Sequence, residues 1–200
     1  MSVKIHPTAV LDSAAEIDID VEIGPYTVIG KDVQIKKGNY VGPHCIIEFA
    51  DIGKNNYFTG HDFIGTPPQD FKYKLEKTKL TIGDNNIIRE GVSLHRGSTS
   101  THVTTIGSGC MFMANSHVGH DCRIGNGVVM VNSAAASGHV EIEDKAVISG
   151  LCGIHQFSRI GTLAMLGGGA MVSQDILPYT MAQGDRAKLV GLNIVGIRRA

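Results

Sequence analysis

The chain has 200 residues, 18 of them basic and 19 acidic, and is 42% hydrophobic with 25 Gly and no Trp. That is one domain's length with enough apolar side chains for a core, and its balanced charge excludes a protein that coats nucleic acid or an anionic membrane by bulk charge. No apolar run is long enough for a transmembrane helix, and MSVKIHPTAVLDS has no charged segment leading into an apolar one, so neither a membrane span nor a signal peptide is expected.

From Ile5 onward every sixth residue is aliphatic: Ile5, Leu11, Ile17, Ile23, Ile29, Ile35, Val41, Ile47. The frame then slips by one, through Ile46, Ile52, Phe58 and Ile64. It resumes at Ile82 and runs to Val172, with Ser100 as the one polar stop. Six residues fit neither an amphipathic helix nor a simple half-buried strand, but they fit short strands joined by tight turns. The expected fold is therefore all-β: a left-handed parallel β-helix of hexapeptide repeats, winding against the usual crossover hand. Three hexads make one triangular coil, so residues 18 apart stack. Each marker points inward, and the Gly that often follows it (Gly24, Gly30, Gly53, Gly83, Gly107, Gly125, Gly161) is expected to supply turn conformations.

Between Ile64 and Ile82 the markers fail at Asp70 and Glu76, which predicts a loop protruding at about 66–81. After Val172 the period is lost. This predicts a β-helix over 1–172 and a C-terminal arm over 173–200. Cys45, Cys110, Cys122 and Cys152 form no C-x-x-C pair and no disulfide framework, so free thiols in a reducing cytoplasm are expected.

The 18-residue stacking also finds a candidate site. His120, Gly138 and Gln156 fall in one column, Asp121 and His139 in the next, and Gly119, Ser137 and His155 in a third. Four of the nine histidines (His117, His120, His139, His155) gather there. A single histidine on such a face is usually an ordinary surface residue; the clustering is what argues for function. Imidazole beside a carboxylate makes a general base held in one tautomer. A glycine one coil away offers an unobstructed N–H for an oxyanion. No nucleophile motif on Ser or Cys is present, which favours direct acyl transfer over a covalent intermediate. The rival is a metal site on His117, His120 and Cys122. Convergence is poor because Cys122 alternates to another face, so no metal is expected.

NSHVGHDCRIGN (115–126), SGHVEIEDKAVISGLCGIHQF (137–157), PPQDFKY (67–73), LHRG (94–97), QDILPYTMAQGDRA and GLNIVGIRR resemble the bacterial UDP-N-acetylglucosamine O-acyltransferases of lipid A synthesis, over the whole chain from IHPTA (5–9) onward. The resemblance implies a cytoplasmic homotrimer with active sites between subunits. It implies transfer of a 3-hydroxyacyl chain from acyl carrier protein to the 3-position of a UDP-glucosamine-type sugar, with the carrier thioester as donor and no other cofactor. It assigns His120 as base, with Asp121 beside it, and Gly138 as oxyanion donor. His117, His139, His155 and Gln156 match the cleft lining; Gln69, Asp70, Lys72 and His95 match sugar-side positions; Asn193 and Arg199 match positions near the nucleotide and its phosphates. Gly168 matches the acyl-length ruler region, where Gly leaves room for a longer chain.

The chain departs from the family pattern at three points. The family's helical C-terminal domain is expected to be lacking after Ala200, Val195 stands where many members carry Glu, and Ala200 where many carry a second Arg. The last two leave open an amine acceptor, giving an amide instead of an ester. Related acyltransferases using another sugar nucleotide or acetyl-coenzyme A, and a non-catalytic sugar-nucleotide binder, are the alternatives. Lys72, Lys74, Lys77 and Lys79, with Arg186, Lys188, Arg198 and Arg199, form basic clusters that could steer an acidic carrier protein.

Overall fold

The computed structural model describes residues 3–199; the departure at Ala200 lies outside them. The chain winds into a triangular prism of parallel strands, mostly two residues long, the left-handed β-helix expected. Face A runs from Lys4–Ile5 through Glu22–Ile23 to Met165–Leu166, face B from Val10–Leu11 to Met171–Val172, and face C from Glu16–Ile17 to Arg159–Ile160. Register repeats every 18 residues over most of the length, as in His117↔Ala135↔Gly153.

The hexad markers are the core. Face C stacks Ile35, Ile52, Ile82, Ile106, Ile124, Ile142 and Ile160, all 4% exposed or less; Phe58 and Phe112 fill the prism from face A. Each such side chain contributes roughly 1.5–3 kcal/mol by leaving water. β-Branched residues suit these short pleated segments.

The turns differ from expectation. The glycines after the markers do not adopt left-handed φ. Instead they admit the next coil: a Cβ on Gly24 would stand 2.8 Å from the Gly42 carbonyl carbon, and one on Gly107 2.5 Å from Gly125 O. The left-handed residue comes three places after the marker and is usually not glycine, as at Tyr26, His44, Asp121, His139 and Phe157. Backbone bonds to the neighbouring coils hold it there, for example His139 N–H to His120 O at 2.9 Å.

Three coils depart from 18 residues. The frame slip gives one coil of 17, with Val41 opposite Phe58. Ile64 pairs with Leu94 across a 12-residue loop, 67–78, between Phe63–Thr66 and Lys79–Ile82. Ile82 pairs with Ile106, and the six extra residues there form a second loop, 96–102, between Ser93–His95 and Val103–Ile106. Ser100 was the only sequence mark of it. Both loops leave the edge between faces B and C. Past Val172 the parallel winding continues: Ile176 bridges Ile160, and Thr180–Gln183 pairs with Met165–Leu166. Lys188–Leu192 then turns back antiparallel, and the helix α1, Ile194–Arg199, follows.

Asp62 is fully buried at the edge between faces A and B. Its Oδ1 accepts the Val92 N–H at 3.0 Å, and its Oδ2 faces the Gly60 N–H at 3.3 Å. Burial pushes this carboxyl up to about 7, against the pull of those two N–H donors. An unfolded Asp titrates near ~3.9. From about pH 4 to about pH 7 the folded state therefore holds the extra proton, and stability falls as pH rises across that window. Asp62→Asn keeps an acceptor for Val92 and removes the titration. Urea unfolding midpoints of the variant are expected to vary less between pH 4 and 7 and to exceed the native protein's at pH 8; equal slopes would refute the assignment.

Candidate active site

The edge between faces B and C carries the expected cluster. His117 sits on face B, and the chain turns at Gly119–Cys122 into face C. Asp121, left-handed with φ 60°, is buried at this turn. Its Oδ1 accepts the N–H groups of Ser98 (3.0 Å) and Thr101 (3.2 Å) and the Thr101 hydroxyl. Its own N–H donates to Thr104 Oγ1 at 2.8 Å. Its Oδ2 lies 2.6 Å from His120 Nδ1 and 3.7 Å from His139 Nε2. Burial raises the Asp121 carboxyl, but the bonds from Thr101, Ser98 and His120 outweigh it and bring it down to about 2. Asp121 is thus ionised, so His120 Nδ1 carries the hydrogen and Nε2 keeps the lone pair. Ser98 and Thr101 belong to the second loop, which the hexad pattern flagged only through Ser100; their role was missed in the sequence.

Gly138 packs on this imidazole. A Cβ there would stand 2.6 Å from His120 Nε2 and 2.7 Å from Cε1. Among the described residues the Gly138 N–H donates to no group in the chain. The same turn position holds Pro25 and Pro43 on earlier coils, where no N–H exists at all, so the position places its amide outside the ladder. Gly138→Ala is expected to displace the ring and to lower the rate of any reaction that His120 serves by tenfold or more, roughly the cost of losing one oriented contact, with the thermal midpoint little changed. Activity within twofold of the native chain would sink that packing argument.

The remaining expected residues divide into two groups. His95, His117 and His139 join the edge. His95 and His117 rings meet edge-on at 4.8 Å, His117 Nδ1 bonds the Ser93 hydroxyl at 2.8 Å, and His139 stacks on Phe157 at 4.5 Å. Burial, then the neighbouring imidazoles, lowers His95 to about 4 and lowers His117 also, so both are neutral near pH 7. Asp70 and Lys72, with Tyr73, Ser98, His139 and Phe157, line a cavity of about 300 Å³ beside Asp121; Gln69 is exposed on the same loop. His155 and Gln156 are exposed farther along the edge, and His155 borders a second cavity of about 300 Å³ on face B with Ala135, Gly153, Met171 and Arg186. Gly168 is exposed where faces A and B meet, and a Cβ there would find only Gly150 O, at 3.8 Å.

Asn193 and Arg199 are not brought to His120 within one chain. They follow the hairpin on face A, across the prism from the B–C edge. Asn193 is 5% exposed and caps α1, accepting the Gly196 N–H and donating to Leu163 O. Arg199 is exposed in the last turn. Of the lysines expected to steer a carrier protein, Lys77 pairs with Asp32 and Lys79 with Asp51.

All four cysteines are buried and free. Burial pushes the Cys45 and Cys122 thiols up to about 12 and raises those of Cys110 and Cys152. None is poised as a thiolate nucleophile. Cys122 bonds Ser137 O inside the prism, so it does not converge with His117 and His120. His120, Asp121 and His139 do bring three ligand-type atoms within 4.8 Å, but Asp121 Oδ2 is already engaged by the hydrogen on Nδ1.

Residues 104–134 match the bacterial transferase hexapeptide (six repeats) family, and residues 175–200 match UDP N-acetylglucosamine O-acyltransferase, domain 2. Over 198 residues the chain is 50% identical to the acyl-[acyl-carrier-protein]–UDP-N-acetylglucosamine O-acyltransferase of Thermodesulfovibrio yellowstonii, covering 98% of this chain and 77% of that one. The chain belongs to the UDP-N-acetylglucosamine O-acyltransferase family. Solved members of this family superpose closely: LpxA of Acinetobacter baumannii with a TM-score of 0.96 at 43% identity, covering 98% of this chain and 76% of that one, and LpxA of Bacteroides fragilis with 0.95 at 38%, covering 97% and 76%. The chain thus spans about three-quarters of the length of these acyltransferases.

Proposed function

We propose that this chain transfers a 3-hydroxyacyl group from the thioester of acyl carrier protein to the 3-hydroxyl of UDP-N-acetylglucosamine, the first step of lipid A synthesis, in the cytoplasm and with no cofactor beyond the donor itself. One observation carries the mechanism: a lone-pair Nε2 on His120 lies against Gly138, whose N–H is unengaged. His120 Nε2 takes the proton from the sugar hydroxyl as its oxygen attacks the thioester carbonyl. Asp121 holds the ring and stabilises the imidazolium that forms. The Gly138 N–H donates to the developing oxyanion. Collapse breaks the carbon–sulfur bond, and the imidazolium returns its proton to the leaving pantetheine sulfur. The absence of an accessible low-pKa thiol supports transfer in one stage.

Substrate contacts follow from the two cavities. Gln69, Asp70, Lys72, His95, His117 and His139 receive the sugar; the small-residue groove past His155 and Gln156 receives the acyl chain, with Gly168 leaving room at its far end. Asn193 and Arg199 serve the nucleotide from a neighbouring subunit of a homotrimer. The faces support that assembly. Face C presents Glu16, Gln34, Asp51, Arg123, Glu141 and Arg159, whereas face B presents exposed Val10, Val28, Ile46 and Phe63, and face A presents Tyr57 and Ile87. Two different apolar faces and one polar face suit a head-to-tail contact that closes into a ring.

The test is a steady-state assay with 3-hydroxyacyl carrier proteins of several lengths and UDP-N-acetylglucosamine or its 3-amino analogue. The expected product is the 3-O-acyl ester. Amide formation alone would reassign the acceptor, and no product from a folded trimer would overturn the reading.

A further inference from the structure

The loop 67–78 carries Gln69, Asp70 and Lys72 but has little apolar packing of its own; Phe71 and Leu75 point fully into solvent. Something else must fix its height above His139 and Phe157. Arg96 stands at the base of both loops, 4% exposed. Its Nη1 donates to Glu48 Oε1 at 2.9 Å and to Gly65 O at 2.7 Å, and its guanidinium lies 4.4 Å from the centroid of the Phe49 ring. Its Nε–H donates to the Tyr73 hydroxyl at 3.0 Å, and that hydroxyl donates onward to Glu76 O at 2.8 Å. Tyr73 in turn ties back to the substrate-side residues, its N–H bonding Asp70 O at 3.0 Å. Gly65 is required for this arrangement: at φ 73° a Cβ would stand 1.8 Å from Glu48 O. Lys77 of the same loop pairs with Asp32, but that ion pair is exposed and therefore weak.

We infer that Arg96, acting through Tyr73, is a positioning residue that sets the sugar-binding loop over the His139–Phe157 platform and so governs affinity for the nucleotide sugar without entering the chemistry. Buried, fork-shaped and stacked on an aromatic ring, Arg96 uses geometry that lysine cannot reproduce. The inference rests on the reading that Gln69, Asp70 and Lys72 meet the sugar.

The experiment compares the native chain with Tyr73→Phe and Arg96→Lys, measuring kcat, KM for UDP-N-acetylglucosamine, KM for the acyl carrier protein, and Tm. Tyr73→Phe keeps the ring and removes only the hydroxyl link. Its KM for the nucleotide sugar is expected to rise about tenfold, the effect of one hydrogen bond to a charged group, with kcat and the carrier KM within twofold and Tm nearly unchanged. Arg96→Lys should move the same parameter in the same direction. A sugar KM within twofold of native in both variants would overturn the inference, as would a joint fall in kcat and Tm with no selective change in the sugar KM. If the native chain transfers nothing, the functional reading has failed, and tryptic cleavage at Lys72 and Lys74 then decides the anchor alone. Cleavage about tenfold faster in Tyr73→Phe, the same hydrogen-bond effect, sustains it, and equal rates refute it.

Discussion

His120→Ala is expected to lower kcat for acyl transfer by about 10²–10⁴-fold, the usual cost of removing a general base, while leaving the assembly folded. The reason for the second half is local. His120 is only half-buried on the outside of a turn, and its ring touches Gly138, Asp121 and His139 but not the ladder of buried markers. Truncation removes a lone pair from the site and opens no cavity in the prism. The carrier and sugar KM values should change little, because the lost interaction forms in the transition state. Residual kcat above about one percent of native, from a chain with an unchanged thermal midpoint, would contradict the assignment of the base, since it falls short of the smallest expected loss.

Asp121→Asn is expected to cost about 10²-fold or more in kcat, by a different route. Asp121 Oδ1 is fixed as an acceptor by three donors from Ser98 and Thr101. In the variant the amide oxygen takes that place, which turns the amide nitrogen toward His120 Nδ1. A donor facing Nδ1 forces the ring hydrogen onto Nε2, and an Nε2–H cannot accept the sugar's proton. The geometry survives while the tautomer is wrong. Thr101→Val then serves as the control: it removes one donor to Oδ1 and leaves the charge on Oδ2, so its loss should be far smaller. Equal losses in the two variants would mean that Asp121 acts by holding the loop and not by setting the tautomer.

The architecture was legible because a hexad period is hard to imitate by chance, and because 18-residue stacking converts sequence distance into a neighbour list. His120, Asp121, Gly138 and His139 meet in space as that arithmetic requires. What the period could not express lies where coils are not 18 residues long. The loop 67–78 broke two markers and was visible; the loop 96–102 broke one, Ser100, and was passed over although it supplies Ser98 and Thr101 to Asp121. Glycine was also read for the wrong property. After the markers it admits a neighbouring coil, and the left-handed corner is held by residues such as Asp121 and Phe157 under constraint from both adjacent coils. Arg96 could not be found from spacing, since its partners Glu48, Gly65 and Tyr73 come from two different coils and a loop. Asn193 shows the opposite case: its position in a motif says nothing of the helix cap it makes within its own chain.

The most direct measurement is a single-turnover experiment with the purified chain in excess over a 3-hydroxyacyl carrier protein labelled in the acyl group. Without acceptor the label should stay on the carrier; on adding UDP-N-acetylglucosamine it should pass to the sugar in one phase, with none on the protein at any time. Label appearing on the protein before the sugar, or staying on the carrier in the presence of the sugar while the native chain is folded, would contradict direct transfer by His120.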